Sequence, residues 1–445
     1  MPGPAPGLAP TPRPQLRRVM GGALLAIVLA ALDQNIVNTA LPRMAADLGG
    51  LAHLSWVVTA FMLTSTVTTP LYGKLSDMYG RRSLFIVAIG IFLLGSALCG
   101  LAQTMGQMIA CRAIQGLGAG GLITLAQAAI GDVVSPRERP KYQGLFTGAF
   151  ALSSVGGPLL GGLITQTLSW RWVFYVNLPV GALALAMVLS GLRAPPARRR
   201  RRIDLAGILL LTLATTALLL LLSWGGGTIP WLSAEALALG AGALLLYGAF
   251  LAWEQRAAEP VIDLRLFRNP VFARGVTVAG MMTFAMLGST VFLPLYFQLV
   301  LGMQPAEAGL MMLPQMVGML FSSILGGRLV SRMGRNKPFL LAGIGLEVAA
   351  LLLLALFAWL AAPAAVFLIA MGALGLGMGM GMPNLTNAVQ NAVGHGELGA
   401  ATGAMSFIRS LGSALGVAVS SAIMVSRLAA GLAAAAPGVD VGVLM

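Results

Sequence analysis

The stretch Gly73-Lys74-Leu75-Ser76-Asp77-Met78-Tyr79-Gly80-Arg81-Arg82 places one acid and three bases between two long apolar runs. In a chain of 445 residues that is 58% hydrophobic and 9% charged, such an island is an exception that fixes how its flanks sit. A helix needs roughly 20 apolar residues to cross a bilayer, and runs of that kind recur on both sides of the island. With a mean hydropathy of +0.87 they cannot be the core of a soluble protein. The fold class is therefore all-α and polytopic.

Apolar periodicity and run length predict thirteen helices, at 19–42, 54–74, 84–102, 107–130, 141–165, 171–192, 204–223, 235–252, 271–300, 307–328, 338–357, 364–390 and 399–424. With the N-terminus in the cytoplasm, the basic residues sort themselves. Lys74, Arg81 and Arg82, then Arg137, Arg139 and Lys141, then Arg193 and Arg198 to Arg202, then Arg256, Arg265 and Arg268, and finally Arg328, Arg332, Arg335 and Lys337 all fall on the inner side. The other side carries only Arg43, Arg171 and, if the last span crosses, Arg427. This is the positive-inside pattern, and it places the protein in the cytoplasmic membrane with several passes.

Location also decides what the formal charge of +14 means. In a soluble protein it would suggest nucleic acid; spread over alternate loops it marks orientation, so no nucleic-acid partner is expected. Cys99 and Cys111 lie inside apolar runs and read as small buried residues. His53 and His395 sit near helix ends, and no Cys/His cluster has metal-ligand spacing. No metal or other cofactor is expected.

The island recurs. Gly326-Gly327-Arg328-Leu329-Val330-Ser331-Arg332-Met333-Gly334-Arg335 lies in the second half between two further apolar runs, as in transporters built from repeated bundles. The domain division is a disordered tail at 1–18, a six-helix bundle at 19–192, a linker with two inserted helices at 193–270, a second bundle at 271–428 that lacks its last helix, and a tail at 429–445. Either the chain ends after thirteen crossings with its C-terminus outside, or the last segment is re-entrant.

Four charged residues stand inside predicted spans. Asp33 lies inside the first span beside Asn35 and Asn38; a carboxyl there is a candidate proton-binding site or a structural hydrogen-bond anchor. Arg112, followed by Gln115, sits early in the fourth span and either serves a cavity or proton-linked role or snorkels to water. Arg409 and Glu347 either pair across the second bundle or separately reach a polar crevice and the membrane face. Gly144, Gly148 and the run Gly156-Gly157-Pro158-Leu159-Leu160-Gly161-Gly162 combine a proline with small residues, which lets the fifth span bend and pack closely. Phe292, Tyr296, Gln298, Asn384 and Asn387 mix rings and amides near the breaks at Pro294 and Pro383, a lining suited to a lipophilic solute with some hydrogen-bonding capacity.

The chain resembles a drug:proton antiporter of the fourteen-helix group of the major facilitator superfamily, the class that includes bacterial multidrug, methyl viologen and tetracycline exporters. The likeness runs from about Asp33 to Leu415. Leu32-Asp33-Gln34-Asn35-Ile36-Val37-Asn38-Thr39-Ala40-Leu41-Pro42 is similar to that group's first-helix signature, with Asn35 where threonine is more usual. Gly73 to Arg82 resembles the loop between helices two and three, which implies that Gly73, Asp77, Gly80, Arg81 and Arg82 form a conformational latch, with Arg328, Arg332 and Arg335 as its repeat. Arg112 with Gln115 and Gly116 resembles the fourth-helix motif linked to proton transfer. Gly157, Pro158, Gly161 and Gly162, with Gly148, look like the antiporter hinge of helix five, and Trp170 to Pro179 like the recurring start of helix six. The resemblance implies export of small lipophilic or cationic drugs in exchange for protons, through a cavity to which Asn35, Asn38, Gln115 and Arg409 contribute. It implies a monomer whose partners are membrane lipids and its solutes, and no enzymatic activity. An endogenous metabolite, lipid or amino-acid-like cargo is the alternative, and a non-transporting membrane receptor or assembly protein a second.

Overall fold

A computed structural model describes residues 13–49, 53–192, 203–226 and 229–435. The expected basic run at Arg193 and Arg198 to Arg202, and most of both tails, lie outside the described residues.

The chain forms α1 (Arg13–Leu48), α2 (Leu54–Tyr79), α3 (Arg81–Leu101), α4 (Met105–Val133), α5 (Arg139–Thr167), α6 (Trp172–Tyr175), α7 (Asn177–Gly191), α8 (Leu205–Trp224), α9 (Ala234–Glu254), α10 (Pro270–Leu299), α11 (Pro305–Leu310), α12 (Leu313–Met333), α13 (Lys337–Trp359), α14 (Ala364–Asn391) and α15 (Leu398–Ala435). Thirteen stretches among the described residues are long and apolar enough to cross a membrane, matching the sequence expectation in number and place. Two of the expected spans are broken. The sixth is split at Val176 into α6 and α7, which makes Asn177 the first residue of a new helix. The tenth begins as α11, closed at its start by a bond from the Gln304 amide to Glu307 Oε2 (3.0 Å), and restarts as α12 with Pro314 in the first turn, where a proline costs no hydrogen bond.

The helices fall into two bundles that repeat one packing scheme. α1 packs on α5 and α7, α2 on α4, and α3 on α4; in the second half α10 packs on α15, α12 on α14, and α13 on α14. Glycine lets these pairs approach. Gly375 on α14 lies so close to the Gln315 backbone of α12 that a Cβ would collide with it, and Gly412 on α15 is held as tightly against Gly280 of α10. Enlarging such a residue cannot be absorbed by a side-chain shift, because the obstruction is backbone. Gly375→Leu is expected to cut the yield of monodisperse detergent-solubilised protein by more than about tenfold; a normal size-exclusion profile would contradict this.

The central helices α4 and α14 are buried nearly all round, whereas outer helices bury one stripe. α13 buries Gly343, Glu347, Ala350 and Leu354 while exposing Leu341, Val348, Leu352 and Leu356, an apolar outer face suited to lipid. The insert α8–α9 stands beside both bundles: α8 lies against α2 of the first, with the rings of Trp224 and Trp56 edge-on at 5.6 Å, and against α15 of the second, and Leu211 and Phe250 join the apolar core that holds Phe272 and Met405. At its other end Lys74 pairs with Glu259 at 3.0 Å, and the buried Glu254 carboxylate accepts the amides of Val261 (3.1 Å) and Ile262 (3.3 Å), which ties the loop after α9.

The two bundles meet through α2 with α15 and α5 with α12, contacts that are equivalent under the repeat. Gly73 rests on Gly399 and Gly403, Gly144 on Ser323, and Gly327 on Pro140. Among the described residues, the hydrogen bonds joining α1–α7 directly to α10–α15 all lie at the end that carries the basic islands: Arg137 to the carbonyls of Ser331 and Arg332, Arg139 to Asn391, Gln143 to Gln390, Gln390 to the Gln127 carbonyl, and Asp77 to α15. The bundles are thus closed at the basic end.

Candidate functional site

Asp33 is the centre of the first bundle. It sits about midway along α1 with no exposed surface, and donors from two other helices converge on its carboxylate. Arg112 Nη1 of α4 reaches Oδ2 at 2.7 Å, Gln115 Nε2 one turn later reaches Oδ1 at 2.9 Å, and Asn177 Nδ2, at the start of α7, reaches Oδ1 at 2.7 Å. The spacing of Arg112 and Gln115 puts both on one face of α4. The break before α7 is what delivers Asn177.

Arg112 is held from every side. The same Nη1 reaches Gln115 Oε1 at 2.7 Å, Nε reaches the Val57 carbonyl of α2 at 3.2 Å, and the guanidinium lies 4.0 Å from the centre of the Phe61 ring. With 1% of its surface exposed, Arg112 does not snorkel to the membrane face. Behind it Asn177 Nδ2 also donates to Ser96 Oγ (2.9 Å), which donates to the Phe174 carbonyl (2.8 Å). Close packing supports the cluster: Gly95 of α3 abuts the Gln115 backbone, and Gly116 of α4 abuts Phe61 and Thr64.

All three groups on the carboxyl are N–H donors, two on Oδ1 and one on Oδ2. A proton would remove the negative charge that these donors share and so weaken the contacts that join α1, α4 and α7. Asn177→Ala removes one donor while leaving the ion pair. The purified variant is expected to melt a few °C lower with an unchanged size-exclusion profile; an unchanged melting temperature would show that this contact adds nothing to the packing of α7.

A second cluster occupies the basic end. Asp77, near the end of α2, accepts the amides of Gly399 (3.0 Å) and Ala400 (2.7 Å), the first turn of α15. A carboxylate there satisfies two amides that the helix leaves open and faces the positive end of its dipole. Arg81 Nη2 lies 2.6 Å from Asp77 Oδ1, its Nε 2.9 Å from Asp132 Oδ2 of α4, and it also donates to Ser76. Gly80, at φ +87°, makes the turn between α2 and α3. Arg82 forms no ion pair among the described residues. The second island is built differently. Arg328, Arg332 and Arg335 are exposed, and it is the backbone carbonyls of Ser331 and Arg332 that receive Arg137.

The glycines of α5 divide by role. Gly157 lies on Asn35 and Gly161 on Thr39 and Ile36, so both seat α1; Gly148 lies on Leu320 of α12 in the opposite bundle; nothing stands within 4 Å of a Cβ at Gly162. Pro158 is inside the helix. Asn35 donates to its own helix at the Ala31 carbonyl (2.7 Å), while Asn38 is exposed.

The expected lining of the second bundle is dispersed. Tyr296 packs with Phe297 and Phe367 in a closed apolar cluster, and Gln298 bonds the Pro294 carbonyl at 3.2 Å. Asn384 donates to Met380 O (2.7 Å), and its own carbonyl receives Asn336 (2.7 Å). Asn387 is buried and accepts from Asn391 at 3.3 Å. Phe292 is half-buried, as is Arg409. Arg409 and Glu347 form no ion pair with each other or with any other described residue. No group of three or more potential metal ligands occurs among the described residues.

Comparison with known proteins supplies the family. The sequence model described as Major Facilitator Superfamily matches residues 23–417. Among curated relatives, the multidrug transporter protein MdtP of Bacillus subtilis is 38% identical over 406 residues, 91% of this chain and 75% of that protein. The uncharacterized MFS-type transporter Rv1877 of Mycobacterium tuberculosis is 38% identical over 417 residues, 93% of this chain; the chain spans only 60% of its length. Among solved structures, the human organic anion transporter MFSD10 superposes with a TM-score of 0.69 at 17% identity, covering 93% of this chain and 95% of that one. The proton:xylose symporter XylE follows at 0.65 and 16%, covering 94% and 95%. At such identity these two speak for the fold alone.

Proposed function

The chain belongs to the Major Facilitator Superfamily, and from that premise we propose that it is a proton-coupled exporter of small lipophilic solutes, a drug:proton antiporter of the fourteen-helix group. One observation carries the coupling: the buried Asp33 carboxylate, held by Arg112, Gln115 and Asn177 across three helices. A proton at Asp33 cancels the charge that holds Arg112 and loosens α1 from α4 and α7. Loss of that proton restores the three contacts and the form described here. The two forms differ in helix packing, which is how a proton can bias a conformational equilibrium.

The rest of the fold supplies the switch. With the N-terminus and basic islands in the cytoplasm, as the positive-inside pattern supports, contacts between the bundles close the cytoplasmic end. Alternating access then requires Asp77 to leave α15, and Gly73, Gly144 and Gly327 to separate from their partners in the other bundle. Membership of the family makes the work movement of solute rather than covalent chemistry. The proposed cargo is lipophilic; the resemblance of the sequence extends it to cations, and its charge is taken up below.

Inverted membrane vesicles holding the intact chain test this reading. A lipophilic fluorescent dye should accumulate when an acid-inside gradient is imposed and leak back when nigericin collapses it. Accumulation indifferent to nigericin would contradict the proton coupling.

A further inference from the structure

Among the described residues, four side chains that can carry charge at neutral pH lie well inside the spans, and they do not balance where a solute would sit. Asp33 and Arg112 neutralise each other inside the first bundle. Glu347 is 3% exposed on the α13 stripe that packs against α14, where its backbone lies beside Gly377. That leaves Arg409, half-buried, with no hydrogen bond or ion pair from its side chain to any described residue.

The neighbours of α15 fix which way Arg409 faces. Gly412 and Gly416 set one flank against α10, and Gly399 and Gly403 set another against α2. Between these flanks runs the stripe Thr402, Ser406, Arg409, Ser413, spaced by four, three and four residues. Thr402 marks the direction of the stripe: its hydroxyl receives Gln390 (3.2 Å), whose amide also crosses to the Gln127 carbonyl of the first bundle (3.0 Å). The stripe therefore faces the seam between the bundles. Seven residues farther along, about 10 Å past this plug, Arg409 faces the same seam beyond the hydrogen bonds that close it. Ser406, one turn before it, has a buried hydroxyl with no partner.

We propose that Arg409 is the charge-selecting residue of the solute cavity, and that the cargo is a lipophilic acid carried as its anion. This rests on the export reading above and names its substrate class. An unpaired guanidinium at membrane depth is unfavourable until an anion reaches it, and it repels a cation of the same shape. Its planar fork suits a carboxylate or sulfonate, and the Ser406 hydroxyl offers a further donor.

An isosteric pair of probes separates charge from lipophilicity. The purified full-length chain in nanodiscs is equilibrated with tetraphenylborate or tetraphenylphosphonium, and empty nanodiscs are subtracted. The anion should bind at least about tenfold more tightly than the cation. Arg409→Gln should remove that preference and Arg409→Lys retain most of it, with size-exclusion profiles confirming that both variants fold. Equal or tighter binding of the cation, a preference that survives Arg409→Gln, or binding of neither ion overturns the proposal. The measurement needs no transport, so a failure of proton-driven export would count against the export reading and leave this result standing.

Discussion

Asp33→Asn is expected to lower proton-driven export by at least about a hundredfold while leaving a folded protein. The asparagine amide can still accept from Gln115 and Asn177 through its oxygen. Its NH2 group would then meet Arg112 Nη1, now 2.7 Å from Asp33 Oδ2, so a donor faces a donor and the buried guanidinium loses its counter-charge. Nothing else in the cluster can take up a proton, because Gln115 and Asn177 are amides. Asp33→Glu keeps the proton site but moves it by one methylene in a cluster closed by Gly95 and Gly116, and should retain a small fraction of the rate. Efflux assays at matched expression decide it: normal export by Asp33→Asn would mean that the carboxylate is a structural anchor.

The second large effect is conformational. Asp77→Asn replaces a charge that two α15 amides and Arg81 now share. It leaves one amide without its acceptor and the helix terminus without its anion, which weakens the only carboxylate that joins the bundles among the described residues. The closed basic end should become less populated. With Cys99 and Cys111 replaced by alanine and Ser406→Cys installed, a membrane-impermeant thiol reagent applied at the basic end should react about tenfold faster in the Asp77→Asn background. An unchanged rate would show that glycine packing alone, Gly73 on Gly399 and Gly403, holds that end shut.

Much of this could be read before any coordinates. Spans follow from hydrophobic length alone, and α3 and α13 begin and end within about three residues of expectation because a charged island bounds each at the basic end. Buried charge pointed to Asp33 and Arg112 one at a time. Their pairing was not legible, since 79 residues separate them and only packing brings α1 to α4. Asn177 was visible only as part of a motif at the start of the sixth span; its role depends on the break at Val176, which apolar periodicity does not register. Ser96 gave no signal, being one hydroxyl in an apolar run. The second latch could have been foreseen differently: Gly326 to Arg335 contains no acid, so nothing in it can cap a helix as Asp77 does, and its arginines stay at the surface.

The central claim is that Asp33 carries the coupled proton. Its most direct test is proton release: the purified intact chain, held in weakly buffered detergent with a pH indicator, is mixed with a saturating cargo. The wild-type protein should release protons on binding and Asp33→Asn should release none. Equal release from both would place the coupling elsewhere and contradict the account.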